Sequence, residues 1–101
     1  MTQLTELSAL AGSLLKKRGD TVAVAESSAG GVISAALLAI PGASAYFKGG
    51  GVVYTSAAKQ ILLAVSDQAM DEDRAATEVH ALHLARAARE RLGADWGIGE
   101  T

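Results

Sequence analysis

The chain has 101 residues, half of them apolar, with only Tyr46, Phe47, Tyr54 and Trp96 aromatic. That length holds at most one domain, whose core must be assembled from Ala, Val, Leu and Ile. A formal net charge of -2 excludes the broadly basic surface that sequence-independent nucleic-acid binding needs. The absence of cysteine removes disulfides, thiolate metal sites and a cysteine nucleophile. No basic-then-apolar leader pattern opens the chain, and no apolar run approaches the ~20 residues of a membrane span. A cytoplasmic protein with no membrane or nucleic-acid partner is expected.

In chain order, Leu4, Leu7, Ala11, Leu14 and Leu15 recur at helical spacing, and Gly19 supplies a stop. Lys16, Lys17 and Arg18 fall in the last turn of that helix, where cations complement the dipole. Thr21–Ala25 alternates like a buried strand. Val32–Ile40 predicts a second helix, closed by Pro41 and Gly42. Gly51–Thr55 predicts a second strand, entered through Gly49, Gly50 and Gly51. Ser56–Ala64 follows as a short helix carrying Lys59. Ser66–Arg74 is acidic and polar, a turn or loose helical piece on the surface.

Thr77 is placed to cap a long helix, Glu78–Leu92, with the apolar stripe Ala81, Leu84, Ala85, Ala88 and Leu92. Gly93 is its stop, and Asp95–Glu100 begins a third strand. Helices alternating with strands predict an α/β layered sandwich with a mainly parallel sheet flanked by helices. Three strands leave one sheet edge with little cover, so residues 1–101 read as the first part of one longer domain.

The chemistry concentrates where the first strand hands over to the second helix, at Glu26, Ser27, Ser28, Ala29, Gly30 and Gly31. A serine at such a corner sits beside free backbone N–H groups and the positive end of a helix dipole. That setting suits a phosphate or the oxyanion of an attacked carbonyl. Read locally, Ser27 is equally an N-cap, and Gly30 and Gly31 equally a means of close strand–helix packing. Glu26 either accepts a hydrogen bond behind the site or faces water. His80 and His83 stand three apart near Glu78 without a convincing third ligand, so a surface position is expected for them and no metal site.

Four segments fall in an order and spacing that resembles the C-terminal domain of the competence/damage-inducible CinA proteins. They are Ala25–Gly31, Pro41–Phe47, Gly50–Lys59 and Arg91–Asp95. The resemblance covers nearly the whole chain. It implies a CinA C-terminal domain-like fold that continues beyond Thr101 into a glycine-rich loop, giving a domain of roughly 150 residues. Stand-alone members are nicotinamide-nucleotide amidohydrolases, so the implied activity is deamidation of nicotinamide mononucleotide to nicotinic acid mononucleotide and ammonia. Ser27 matches the nucleophile, Lys59 the lysine and Tyr54 the tyrosine of the lysine segment. Thr101 matches the hydroxyl residue that opens the glycine loop. Substrate contacts are expected from Ala29, Gly30, Gly31 and Thr101. No cofactor is implied, and family members usually self-associate, so a homo-oligomer is expected.

Physically, a serine needs a neighbouring base, and a lysine serves if it is held uncharged. Tyr54 would pass a proton or hold Lys59 in place, and the N–H groups around Ala29, Gly30 and Gly31 would receive the oxyanion. The chain departs from the family at two places: Ser28 and Ala29 replace Cys-Thr, and Ala57 removes an acidic side chain near Lys59. Two readings therefore stand, a serine-dependent amidohydrolase and a non-catalytic nucleotide- or phosphate-binding regulatory module.

Overall fold

The structure, a computed structural model, describes residues 2–72 and 74–101; Met1, and Asp73 within the Ser66–Arg74 stretch, lie outside it. The elements in order are α1 (Thr2–Arg18), β1 (Val22–Glu26), α2 (Val32–Leu38), a 3₁₀ turn (Ala43–Ala45), β2 (Phe47–Val52), α3 (Ser56–Leu63), α4 (Asp67–Glu72), α5 (Glu78–Leu92) and β3 (Trp96–Gly99). The strands form a parallel sheet in the order β2-β1-β3, with helices on both faces. This is the expected α/β layered class.

β1 is the centre of the molecule, and every one of its residues is buried. Because strand side chains alternate between faces, its small and branched residues sort into two cores. Val22 and Val24 pack with Leu37, Ala43 and Tyr46 on one side. Ala23 and Ala25 pack with Val53, Leu63, Val65, Leu84 and Ala88 on the other. The alanines face α5 and leave room for that helix to lie close to the sheet.

Glycine finishes the same job on β3. A Cβ built at Gly97 would lie 2.2 Å from the Ala85 carbonyl oxygen, and one at Gly99 2.1 Å from that of Ala81. Backbone thus meets backbone where α5 crosses β3, and no side chain fits between them.

Glycine also explains where the second strand differs from its predicted span. β2 runs Phe47–Val52, so Gly49, Gly50 and Gly51 lie inside the strand, while Val53, Tyr54 and Thr55 follow it. A Cβ at Gly50 would meet the Ser34 Oγ of α2 at 2.3 Å, and one at Gly49 would meet Leu92 of α5 at 3.1 Å. These glycines serve helix-to-strand contact on both faces. Thr55 instead caps α3, its hydroxyl accepting from the Ala58 N–H at 3.1 Å.

The α1 stripe is also corrected. Leu7 and Leu14 face outward with Leu10, while Ser8 and Gly12 are buried. A Cβ at Gly12 would stand 3.0 Å from the Tyr46 hydroxyl, so the helix docks through its small residues over that ring. Tyr46 is itself fully buried and donates to the Leu37 carbonyl at 2.6 Å. The basic run at the end of α1 is used locally. Lys16 donates to the Pro41 carbonyl at 2.6 Å, and Arg18 pairs with Asp20 at 2.8 Å.

Gly97→Ala should be destabilising by at least about 1–3 kcal/mol, because the new methyl group has only backbone to displace. A urea midpoint unchanged from that of the parent protein would show that α5 can lift off β3 freely.

Candidate active site

Open α/β sheets bind ligands at the carboxyl ends of their parallel strands. Here those ends deliver Ser27 and Ser28 after β1, Tyr54 after β2 and Thr101 after β3. Together with Lys59 of α3 and the Ala75–Ala76 segment, they line one cavity of about 330 Å³. Ser27 is 7% exposed and Lys59 4%, so both are withdrawn from bulk water. Tyr54 stands at the rim, 74% exposed, and no hydrogen bond joins it to Lys59 among the described residues. The cavity therefore gathers Ser27, Lys59, Tyr54 and Thr101 but is not lined by Ala29, Gly30 or Gly31.

The turn around Ser27 is fixed by two carboxylates. Glu26 is fully buried, and its oxygens accept from the N–H groups of Ile33 and Ser34, each at 2.9 Å. These are orphan donors in the first turn of α2, so the side chain at the strand end caps the following helix. The alternative of Glu26 facing water is thereby removed. Gly31 precedes α2 with φ 101°, a conformation that glycine adopts at little cost.

Glu100 grips the turn from the other side. One oxygen accepts from the Ser27 N–H at 2.8 Å and the Ala29 N–H at 2.9 Å, and the other from the Ser28 hydroxyl at 2.6 Å. Burial draws this carboxyl upward, but the Ser28, Ala29 and Ser27 hydrogen bonds outweigh it and hold it below its ordinary value of 4.5. Most of the corner's donors are thus already engaged. Ala29 N–H serves Glu100, Gly30 N–H serves the Ser27 carbonyl at 3.1 Å, and Ile33 and Ser34 serve Glu26. The N–H groups of Ser28 and Gly31, by contrast, meet no protein acceptor among the described residues.

His80 does not lie on the surface. It is 1% exposed, and its Nε2 lies 3.0 Å from Lys59 Nζ. Its spacing of four from Leu84 and eight from Ala88, both buried, puts it on the inward line of α5, a signal present in the sequence. Glu100 gave no such signal, since its partners lie more than 70 positions away. His83 borders a separate surface cavity with Arg86 and Glu90.

The architecture is that of a single α/β sandwich with a serine–lysine cavity at its strand ends. A sequence model described as the CinA C-terminal domain matches residues 4–101, and the chain belongs to that family. A CinA-like protein of Prochlorococcus marinus (strain MIT 9313) is 47% identical over 85 residues, covering 84% of this chain and 20% of that protein. A CinA-like protein of Synechocystis sp. (strain ATCC 27184 / PCC 6803 / Kazusa) is 43% identical over 95 residues, 94% of this chain and 23% of that one. Among solved structures, a CinA superfamily protein from Escherichia coli superposes with a TM-score of 0.84 at 30% identity, covering 91% of this chain and 54% of that chain. A competence/damage inducible protein from Agrobacterium tumefaciens gives 0.83 at 34% identity, covering 91% and 56%. The chain spans about a fifth of the length of the curated relatives named here.

Glu100→Gln should loosen the Ser27 turn and lower stability at neutral pH. A carboxyl held below its ordinary value stabilises the fold fully above about pH 4.5, and that stability is lost as pH falls through the lower folded-state value. The stability gap between parent and variant should therefore shrink in acid. Unfolding midpoints measured from pH 7 to pH 3 that stay a constant distance apart would contradict it.

Proposed function

We propose that this chain carries an amidohydrolase site that deamidates nicotinamide mononucleotide to nicotinic acid mononucleotide and ammonia, with Ser27 as nucleophile and Lys59 as base. The observation that carries the proposal is the single cavity holding both residues, each almost fully buried. Its volume of about 330 Å³ lies in the range of small-molecule pockets. The substrate class rests on the family resemblance of the Ser27 and Lys59 segments. No cofactor enters the reading, and self-association in the cytoplasm belongs to it on the same resemblance.

The steps use residues at the cavity. A serine hydroxyl attacks a carboxamide only as its proton leaves, and an uncharged lysine amine withdrawn from water is a suitable acceptor. The Ser27 Oγ–H bond breaks, an Oγ–C bond forms, and the carbonyl electrons move onto oxygen. Lys59 then returns the proton to the amide nitrogen as the C–N bond breaks, releasing ammonia and leaving an ester on Ser27. Water, deprotonated by the same amine, hydrolyses that ester and regenerates the serine.

The oxyanion needs a donor that is not already engaged. We assign it to the Ser28 N–H, which follows the nucleophile directly, the position used at other strand-to-helix nucleophile turns. Tyr54, at the rim, is assigned to substrate contact and proton exchange with solvent. Thr101 is assigned to substrate contact. A non-catalytic phosphate module is disfavoured, because Glu26 and Glu100 already occupy donors that an anion at this corner would use.

Ammonia release from nicotinamide mononucleotide by the intact protein is the direct measurement. Ser27→Ala should reduce kcat by about 100-fold or more, and Lys59→Met by a similar factor. Binding of the mononucleotide with no turnover would favour the regulatory reading. Turnover that survives Ser27→Ala unchanged would end the assignment of the nucleophile.

A further inference from the structure

The buried contact between His80 and Lys59 has no part in the steps above, yet it joins α5 to the base of the cavity. His80 Nε2 and Lys59 Nζ are 3.0 Å apart, at 1% and 4% exposure. Two nitrogens at that distance share one hydrogen, given by one and accepted by the other. A lysine nitrogen has hydrogens to give whether charged or neutral, while an imidazole nitrogen accepts only when it carries no proton.

We propose that His80 is a positioning residue for the base: its Nε2 accepts one hydrogen from Lys59 Nζ and thereby aims the amine at Ser27. A neutral amine has two hydrogens and one lone pair. Tying one hydrogen to His80 restricts rotation about the last side-chain bond and leaves the lone pair for the cavity. Lysine's long flexible stem otherwise leaves that direction undetermined. His80 is well placed to set it, because its own backbone is fixed. It occupies the third position of α5, where its N–H donates to the Thr77 hydroxyl at 3.2 Å. Lys59 is anchored in turn by its N–H to the Thr55 carbonyl at 3.0 Å, within the capped first turn of α3.

This inference rests on the serine–lysine reading, and the experiment separates the two. The intact protein and its His80→Leu and His80→Gln variants are compared in turnover of nicotinamide mononucleotide. They are also compared in the rate at which a fluorophosphonate labels Ser27, forming an O–P bond and expelling fluoride. Leucine fills the site without an acceptor, whereas glutamine supplies one. His80→Leu should lower kcat and the labelling rate by about 10-fold to 100-fold, with KM within about twofold, and His80→Gln should recover most of both. If His80→Leu does not fold, His80→Asn, polar but too short to reach Lys59, replaces it in the comparison.

A folded His80→Leu or His80→Asn protein with parental kcat and labelling overturns the positioning role and leaves the enzyme assignment intact. Equal losses in the leucine and glutamine variants overturn it as well. Parental protein that labels at Ser27 but releases no ammonia overturns the substrate, and the labelling series then decides His80 alone. Parental protein that does neither overturns both.

Discussion

The Glu26 carboxylate ends the central strand with no exposure to water, and the rest of the site depends on its being satisfied there. An unpaired buried carboxylate costs several kcal/mol, on the order of what breaking a buried charge pair costs. Two N–H groups in the first turn of α2 meet it at 2.9 Å each, and hydrogen bonds to a charged group are worth about 1.5–3 kcal/mol apiece. The positive end of the helix adds to this. One side chain therefore joins β1 to α2, and the intervening residues 27–31 are drawn into a tight corner. Ser27 is the first of them.

Glu100 acts on the same corner from just past β3, so the turn is held between two carboxyl side chains at the ends of neighbouring strands. This arrangement changes what the corner can bind. A strand-to-helix turn with unengaged N–H groups is a general anion site; here Glu26 and Glu100 act as internal anions and use up several of those donors. What remains in the cavity is narrower: the Ser27 hydroxyl, the adjacent Ser28 N–H and the Lys59 side chain.

Much of this was legible in the residues themselves. Short-range rules placed α5 at Glu78–Leu92 with Thr77 as its cap and Gly93 in the left-handed conformation after it. They also placed β1 and α3 to within a residue or two. The rest was set by partners distant in the chain. Gly49 and Gly50 read as an entry to a strand because their role, contact with Leu92 and Ser34 respectively, is tertiary. Glu100 looked like the end of a strand because Ser27, Ser28 and Ala29 are remote in sequence. His80 is a different case. Its position on the inward line of α5, with Leu84 and Ala88, is visible in the spacing, although its neighbour His83 lies on the polar side with Arg86 and Glu90.

The depth of Lys59 follows from how closely α5 lies on the sheet. Ala23 and Ala25 of β1, with Gly97 and Gly99 of β3, remove side-chain bulk along the crossing, so α5 settles at backbone contact. A helix seated that low carries His80 below the surface, where its Nε2 lies 3.0 Å from the Lys59 amine. Larger residues at those four positions would raise the helix and separate the pair without touching either member. The small residues of β1 and β3 are thus as much a condition of the lysine's placement as the imidazole itself, and packing and chemistry in this domain share one constraint.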